Sequence, residues 1–198
     1  MKWFALLLMT GDHVNKVLLH GSAPWLSDAA RVVFPLFAAV LAWNVVAAGE
    51  GSRNRAIVRL LVAGAVVQPL HALAFGYALP LNILLTLGLG LLVSFGRVWW
   101  AMPAWLVGGL FVDYQWAGVG VVLGGAVLAN SGGRPAGWAV FAASLLPLCW
   151  FNGNAWALLA LPLLWMLSRY RADVPRWRWT FLGYYVLHLA ALAAIAAS

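Results

Sequence analysis

Apolar stretches follow one another along nearly the whole chain, each broken by only a few polar or turn-forming residues. About 20 such residues, wound as a helix, cross the roughly 30 Å hydrocarbon layer of a bilayer. With 65% hydrophobic and only 9% charged residues among 198, a soluble core is not an option. The pattern predicts one all-α domain over 1–198, a polytopic transmembrane helical bundle with no room for a separate soluble module.

Nine segments are expected, over 3–20, 30–48, 56–75, 81–96, 98–112, 116–129, 136–150, 155–168 and 179–197. The breaks between them carry Gly21 and Pro24, the basic turn 49–55, Tyr77 to Pro80, Arg97, Asp113-Tyr114-Gln115, Asn130 to Pro135, Asn152-Gly153-Asn154, and the basic loop 169–178. The fifth and sixth segments are short enough to be tilted or partly re-entrant. Met1 to Met9 has the outline of a signal peptide, but Asp12, His13, Asn15 and Lys16 interrupt its apolar run, so a retained first helix is expected.

Charge sets the orientation. With the N-terminus inside, ten of the twelve Lys and Arg residues fall on the cytoplasmic side, leaving only Lys16 and Arg31 elsewhere. An odd number of crossings satisfies this; nine does, and so does seven if two segments fail to span. The net charge of +7 therefore reflects short loops facing the cytoplasm rather than a nucleic-acid partner. The lone Cys149 excludes an internal disulfide and a cysteine-based metal cluster. Thirteen Trp, many near segment ends, fit interfacial belts.

One stretch does not belong in a mere anchor. Asp12, Lys16 and His20 fall at i, i+4 and i+8 on the first helix, with His13 beside them. Each ionisable group at membrane depth costs about 2.5–3.5 kcal/mol on insertion scales, so this face is expected to line a polar cavity. His13 lies eleven residues beyond Lys2 and His188 ten beyond Arg178, about 15–16 Å along a helix. First and last helices can thus present their histidines at one depth.

Several stretches resemble the TraX family of membrane proteins. They are Lys2 to Leu6 with Met9 to His13, Arg31 to Ala38 with its Arg-x-x-Phe-Pro-Leu-Phe run, Arg53-Asn54-Arg55 with Arg59, Asn82 to Gly90, and Tyr184 to Leu189. They keep the family's order; between about 97 and 170 no stretch matches. Lys2 with ten residues before His13 is also similar to the basic-x10-His signature of the wider membrane acyltransferase group.

The resemblance implies a multi-pass protein of the bacterial inner membrane that acetylates the N-terminal amine of a conjugative pilin subunit. Acetyl-coenzyme A would be co-substrate, and pilin and membrane lipids the partners. That chemistry needs a base, a polarised thioester and a phosphate-binding entrance. His13 is the expected base, Asp12 the group that orients a histidine or steadies its cation, and His188 a second acid/base or oxyanion donor. Asp12 points about 100° from its neighbour His13, so Lys16 is its expected direct partner. Arg31 is expected to hold a carbonyl or pair with Asp12, and Tyr185 to lie with Lys16 and Arg31 on the substrate. Asn82 and Thr86, at i and i+4, either contact substrate or hold helices together. Lys2, Arg53, Arg55, Arg59, Arg176 and Arg178 are expected at the coenzyme A phosphates, with topology and anionic lipid as the competing explanation.

Two other functions remain open from sequence. Buried Asp, His and Lys also suit a proton-coupled transporter, although no internal repeat is evident. A non-enzymatic pilus-assembly protein would need none of this chemistry. Asp12, His13 and His188 make a conceivable metal site, but without a recognisable spacing motif.

Overall fold

A computed structural model describes residues 2–169 and 180–196. Arg176 and Arg178 lie outside the described residues, as does the side chain of Lys2. The described chain is all-helical. Its elements are α1 Lys2–Val17, α2 Pro24–Ala30, α3 Val33–Ala47, α4 Glu50–Phe75, α5 Ile83–Phe95, α6 Val98–Gly108, α7 Gln115–Asn130, α8 Pro135–Asn152, a 3-10 turn Trp156–Leu159, α9 Ala160–Arg169 and α10 Thr180–Ala196.

Each expected segment has a helical counterpart, with four corrections. The first helix stops at Val17, because His20 (φ +49) and Gly21 (φ +79) turn the chain in left-handed conformation. His20 is exposed and does not continue the Asp12–Lys16 face. The second segment begins earlier, at Pro24, and is broken at Arg31-Val32; the eighth opens with the 3-10 turn. The third begins at Glu50, absorbing most of the expected basic turn. Two helical stretches, Pro24–Ala47 and Glu50–Phe75, are long and apolar enough to cross a membrane by length and composition; four more apolar helices are shorter. At 11 residues α6 is about 16 Å long, half a bilayer core.

The core is built on α7, which packs against α3, α5 and α8. Its small residues allow this. Gly125 sits tightly against the Ala38-Ala39 backbone of α3, and Gly90 of α5 against the Val122 side chain, where no Cβ would fit. Phe34, Leu91, Val122, Phe141 and Leu145 fill the shared interior.

Polar side chains fix the connections. Buried Asn15 accepts from the Ala23 amide (2.9 Å) and donates to Ser27 Oγ (3.0 Å), folding α2 back on α1. Asn82, fully buried, caps α5 by accepting from the Leu84 amide. Its Nδ2 donates to the Gly64 carbonyl and to Gln68 Oε1, both at 2.8 Å. Leu81 is pinned to the segment after α6, donating to the Phe111 carbonyl (2.6 Å) and accepting from the Asp113 amide (2.9 Å). That segment then turns through Tyr114 (φ +58) and Gln115 (φ +48), left-handed conformations that cost a non-glycine residue energy. Stacking of Tyr114 on Phe34, with ring centroids 4.8 Å apart, helps hold the corner.

Asn82→Ala removes a cap and leaves the buried Gly64 carbonyl without its donor. It should destabilise the fold by about 3 kcal/mol. Asn82→Asp, which keeps the capping oxygen but sets a buried acceptor against the Gly64 carbonyl and Gln68 Oε1, should lose more. Thermal melting of the detergent-solubilised variants checks the order; equal melting temperatures would contradict it.

Candidate functional site

The two ends of the chain meet at a pair of histidines. His13 on α1 and His188 on α10 approach with Nδ1 of the first 2.8 Å from Nε2 of the second. Their rings are nearly parallel, with centroids 5.0 Å apart. His188 Nδ1 lies 3.0 Å from the Tyr184 carbonyl oxygen, one helical turn back.

These two contacts set the proton positions of the neutral pair. A carbonyl oxygen only accepts, so His188 Nδ1 carries the hydrogen and His188 Nε2 has a lone pair. That lone pair accepts the Nδ1 hydrogen of His13. The remaining nitrogen, His13 Nε2, is then unprotonated, and no protein group among the described residues bonds to it. It is the atom in this arrangement suited to take a proton.

A second contact locks the same two helices. Thr10 Oγ1 donates to the Leu6 carbonyl (2.9 Å) and lies 2.6 Å from the Tyr184 hydroxyl. With its own hydrogen committed, Thr10 accepts from Tyr184. Tyr184 stacks on His188, Tyr185 meets it edge-on from the buried interior, and Phe75 of α4 sets its edge to His13 at 5.1 Å. Aromatic rings thus wall the pair on several sides.

His13 also lines a cavity of about 60 Å³ bounded by α1, α3, α5, α10 and the Asp113-Tyr114 corner. At about 30 Å³ per water, it holds two. Asp12 and Lys16 line it too, joined by an Oδ2–Nζ ion pair of 2.6 Å. The other carboxylate oxygen, Asp12 Oδ1, is buried and has no partner among the described residues. Asp113 brings a second carboxylate, and its Oδ1 accepts from the Tyr114 amide at 3.0 Å.

The remaining expected residues divide. Arg31 does not form an ion pair with Asp12; it stands at the α2–α3 break, close enough to Asp113 and Tyr114 to act on both electrostatically. Asn82 and Thr86 serve the fold: Thr86 Oγ1 donates to the Asp113 carbonyl at 3.0 Å, steadying the corner below the cavity. Arg53, Arg55 and Arg59 occupy the first turns of α4. His71, at that helix's other end, is 18 residues or about 27 Å from Arg53. Arg53 lies over the Phe95 ring at 4.2 Å, and Arg55 donates to Ser52 Oγ at 2.9 Å. Asp12, His13 and His188 do not gather as three donors around one point.

Sequence reasoning missed Thr10, Phe75, Asp113 and Tyr114 as parts of the site. Tyr184 had a local signal, being one helical turn before His188. The Asp113-Tyr114 corner had none, since periodicity within a helix says nothing about which loop will cover it.

A family described as TraX protein matches residues 1–196, so the likeness also runs through the middle region where no single stretch resembled it. Neither the curated proteins nor the solved structures contain a match to this chain.

The proton order is measurable. Histidine 15N NMR at a pH where both rings are neutral should show His13 protonated on Nδ1. In His188→Leu that preference should disappear. An Nε2-protonated His13 in the unmodified protein would overturn the assignment.

Proposed function

The chain belongs to the TraX family, and on that premise we propose that it is a multi-pass acetyltransferase of the bacterial inner membrane. It moves an acetyl group from acetyl-coenzyme A to the N-terminal amine of a conjugative pilin subunit. The observation that carries this reading is the directed His13–His188 pair, which leaves a basic nitrogen on a residue lining a small cavity.

The reaction needs a proton removed as the amine nitrogen bonds to the thioester carbonyl carbon and the carbon–sulfur bond breaks. His13 Nε2 accepts that proton and then donates it to the leaving thiolate, which restores the neutral imidazole. His188 supports the step from behind: as His13 becomes cationic, its Nδ1–H bond to His188 Nε2 becomes charge-assisted and stronger. Asp12 Oδ1, unpartnered and buried in the same cavity wall, accepts a hydrogen bond from the incoming neutral amine. Lys16 keeps the neighbouring oxygen engaged, which fixes the carboxylate's rotation.

Acetyl-coenzyme A supplies the thioester. Arg53, Arg55 and Arg59 suit its phosphates chemically, as guanidinium groups bind phosphate in paired hydrogen bonds. Because they start α4 while the cavity lies toward its other end, the co-substrate has to extend along the helix to bring its thioester to His13. A cavity of about 60 Å³ accommodates only the reacting atoms; Phe37 and Phe181, whose ring centroids lie 4.7 Å apart, form part of its wall.

Membranes containing the protein, supplied with labelled acetyl-coenzyme A and processed pilin, should place label on the pilin N-terminus. His13→Ala should reduce the rate by roughly 10²–10⁴-fold, the usual contribution of a positioned acid/base. Asp12→Asn should chiefly raise KM for the amine, by roughly 10-fold or more for a lost charged hydrogen bond. Label retained in His13→Ala would remove His13 from the chemistry. No label with a folded protein would favour the transporter or assembly functions.

A further inference from the structure

A groove whose lining shares no residue with the histidine cavity suggests a second binding site. The C-terminal end of α8 packs on the 3-10 turn, and α9 starts from that turn and runs back. Beyond the turn α8 and α9 scarcely touch. They diverge instead, leaving an open wedge of about 520 Å³ between Trp138, Ala139 and Ala142 on one side and Leu161, Pro162 and Trp165 on the other. Its walls are almost wholly apolar.

The open end is cationic. Both helices are joined at the 3-10 turn, so the ends farthest from it are the start of α8 and the finish of α9. Arg134 is the N-cap of α8, one turn before Trp138. Arg169 ends α9 and lies over the Trp165 ring, its guanidinium carbon 4.7 Å from the centroid. That stacking keeps the charge on the groove wall. The positive end of the 18-residue α8 dipole points the same way. An apolar slot ending in two arginines and a helix N-terminus matches one amphiphile: an acyl chain carrying an anionic headgroup.

We propose that this groove binds an anionic phospholipid, its chain between Trp138 and Trp165 and its phosphate at Arg134 and Arg169. The site rests on the membrane reading of the chain but not on acetyl transfer. Charge complementarity separates it from the general lipid surface, since a zwitterionic lipid gains nothing from the two arginines.

The test uses the full-length protein in phosphatidylcholine nanodiscs doped with a few mole per cent of brominated lipid, which quenches tryptophan on contact. Brominated phosphatidylglycerol should quench more than brominated phosphatidylcholine at the same fraction, with enrichment on the order of fivefold per arginine. Arg134→Ala with Arg169→Ala should abolish the excess. Trp138→Phe with Trp165→Phe should remove it as well, by removing the reporters, while melting temperatures confirm folding. Equal quenching by both lipids, or an excess that survives either double variant, overturns the site. Quenching by neither lipid would instead contradict the membrane reading itself.

Discussion

Everything in the candidate site depends on one N–H···N hydrogen bond between side chains 175 positions apart. Neither histidine can be accommodated alone. A polar ring buried among apolar helices without a partner loses its hydrogen bonds to water and regains none. Together they satisfy each other, and the Tyr184 carbonyl terminates the chain of bonds. Because that carbonyl can only accept, a backbone atom on the last helix dictates which nitrogen of a ring on the first helix is basic. The site therefore exists only when the two ends of the sequence have docked, and the Tyr184–Thr10 bond one turn away fixes the same register.

The rest of the fold places a wall opposite that pair. Close glycine contacts of α7 with α3 and α5 bring Phe34, Ile83 and Leu87 to the cavity. The Asn82 cap fixes where α5 starts, and Leu81 holds the Asp113-Tyr114 corner at that level. Two successive left-handed residues at the corner are unfavourable in isolation, and they persist because the Leu81 bridge, the Thr86 bond and the Phe34 stack converge on them. The strained corner thereby delivers a second carboxylate, Asp113, to the cavity.

Legibility in the sequence followed range. Local signals were clear: apolar runs gave a helix for each expected segment, and the i, i+4 spacing gave the Asp12–Lys16 pair. Depth arithmetic along α1 and α10 brought His13 and His188 to one level, although the contact itself could not be derived. Errors arose where a backbone detail overrode periodicity. His20 lost its place on the polar face because the chain adopts positive φ there, and α3 starts anew after Arg31 rather than continuing from Ala30. Asn82 looked equally suited to substrate or to packing. Its four hydrogen bonds, to Leu84, Gly64 and twice to Gln68, show why composition alone could not decide.

Buried polar atoms left without a partner in the protein sharpen the same distinction. Asn82 is saturated, as a structural group should be. Asp12 Oδ1, Arg31 Nε and His71 Nδ1 are not, among the described residues. Asp12 lines the cavity, Arg31 faces its Asp113-Tyr114 wall, and His71 is near enough to His13 and Lys16 for their charges to interact. Unmade hydrogen bonds of this kind destabilise a fold by about 1–3 kcal/mol each, and a chain this apolar has few places to absorb that cost. Of these three only Asp12 lines the cavity itself, and Arg53 Nε and the Asn152 amide are unpartnered too although neither residue lines it, so the unmade bond that marks the site is that of Asp12 Oδ1. An amine entering that space would find an unpartnered acceptor at Asp12 Oδ1 beside the free nitrogen of His13, so binding there would complete a bond that folding leaves open.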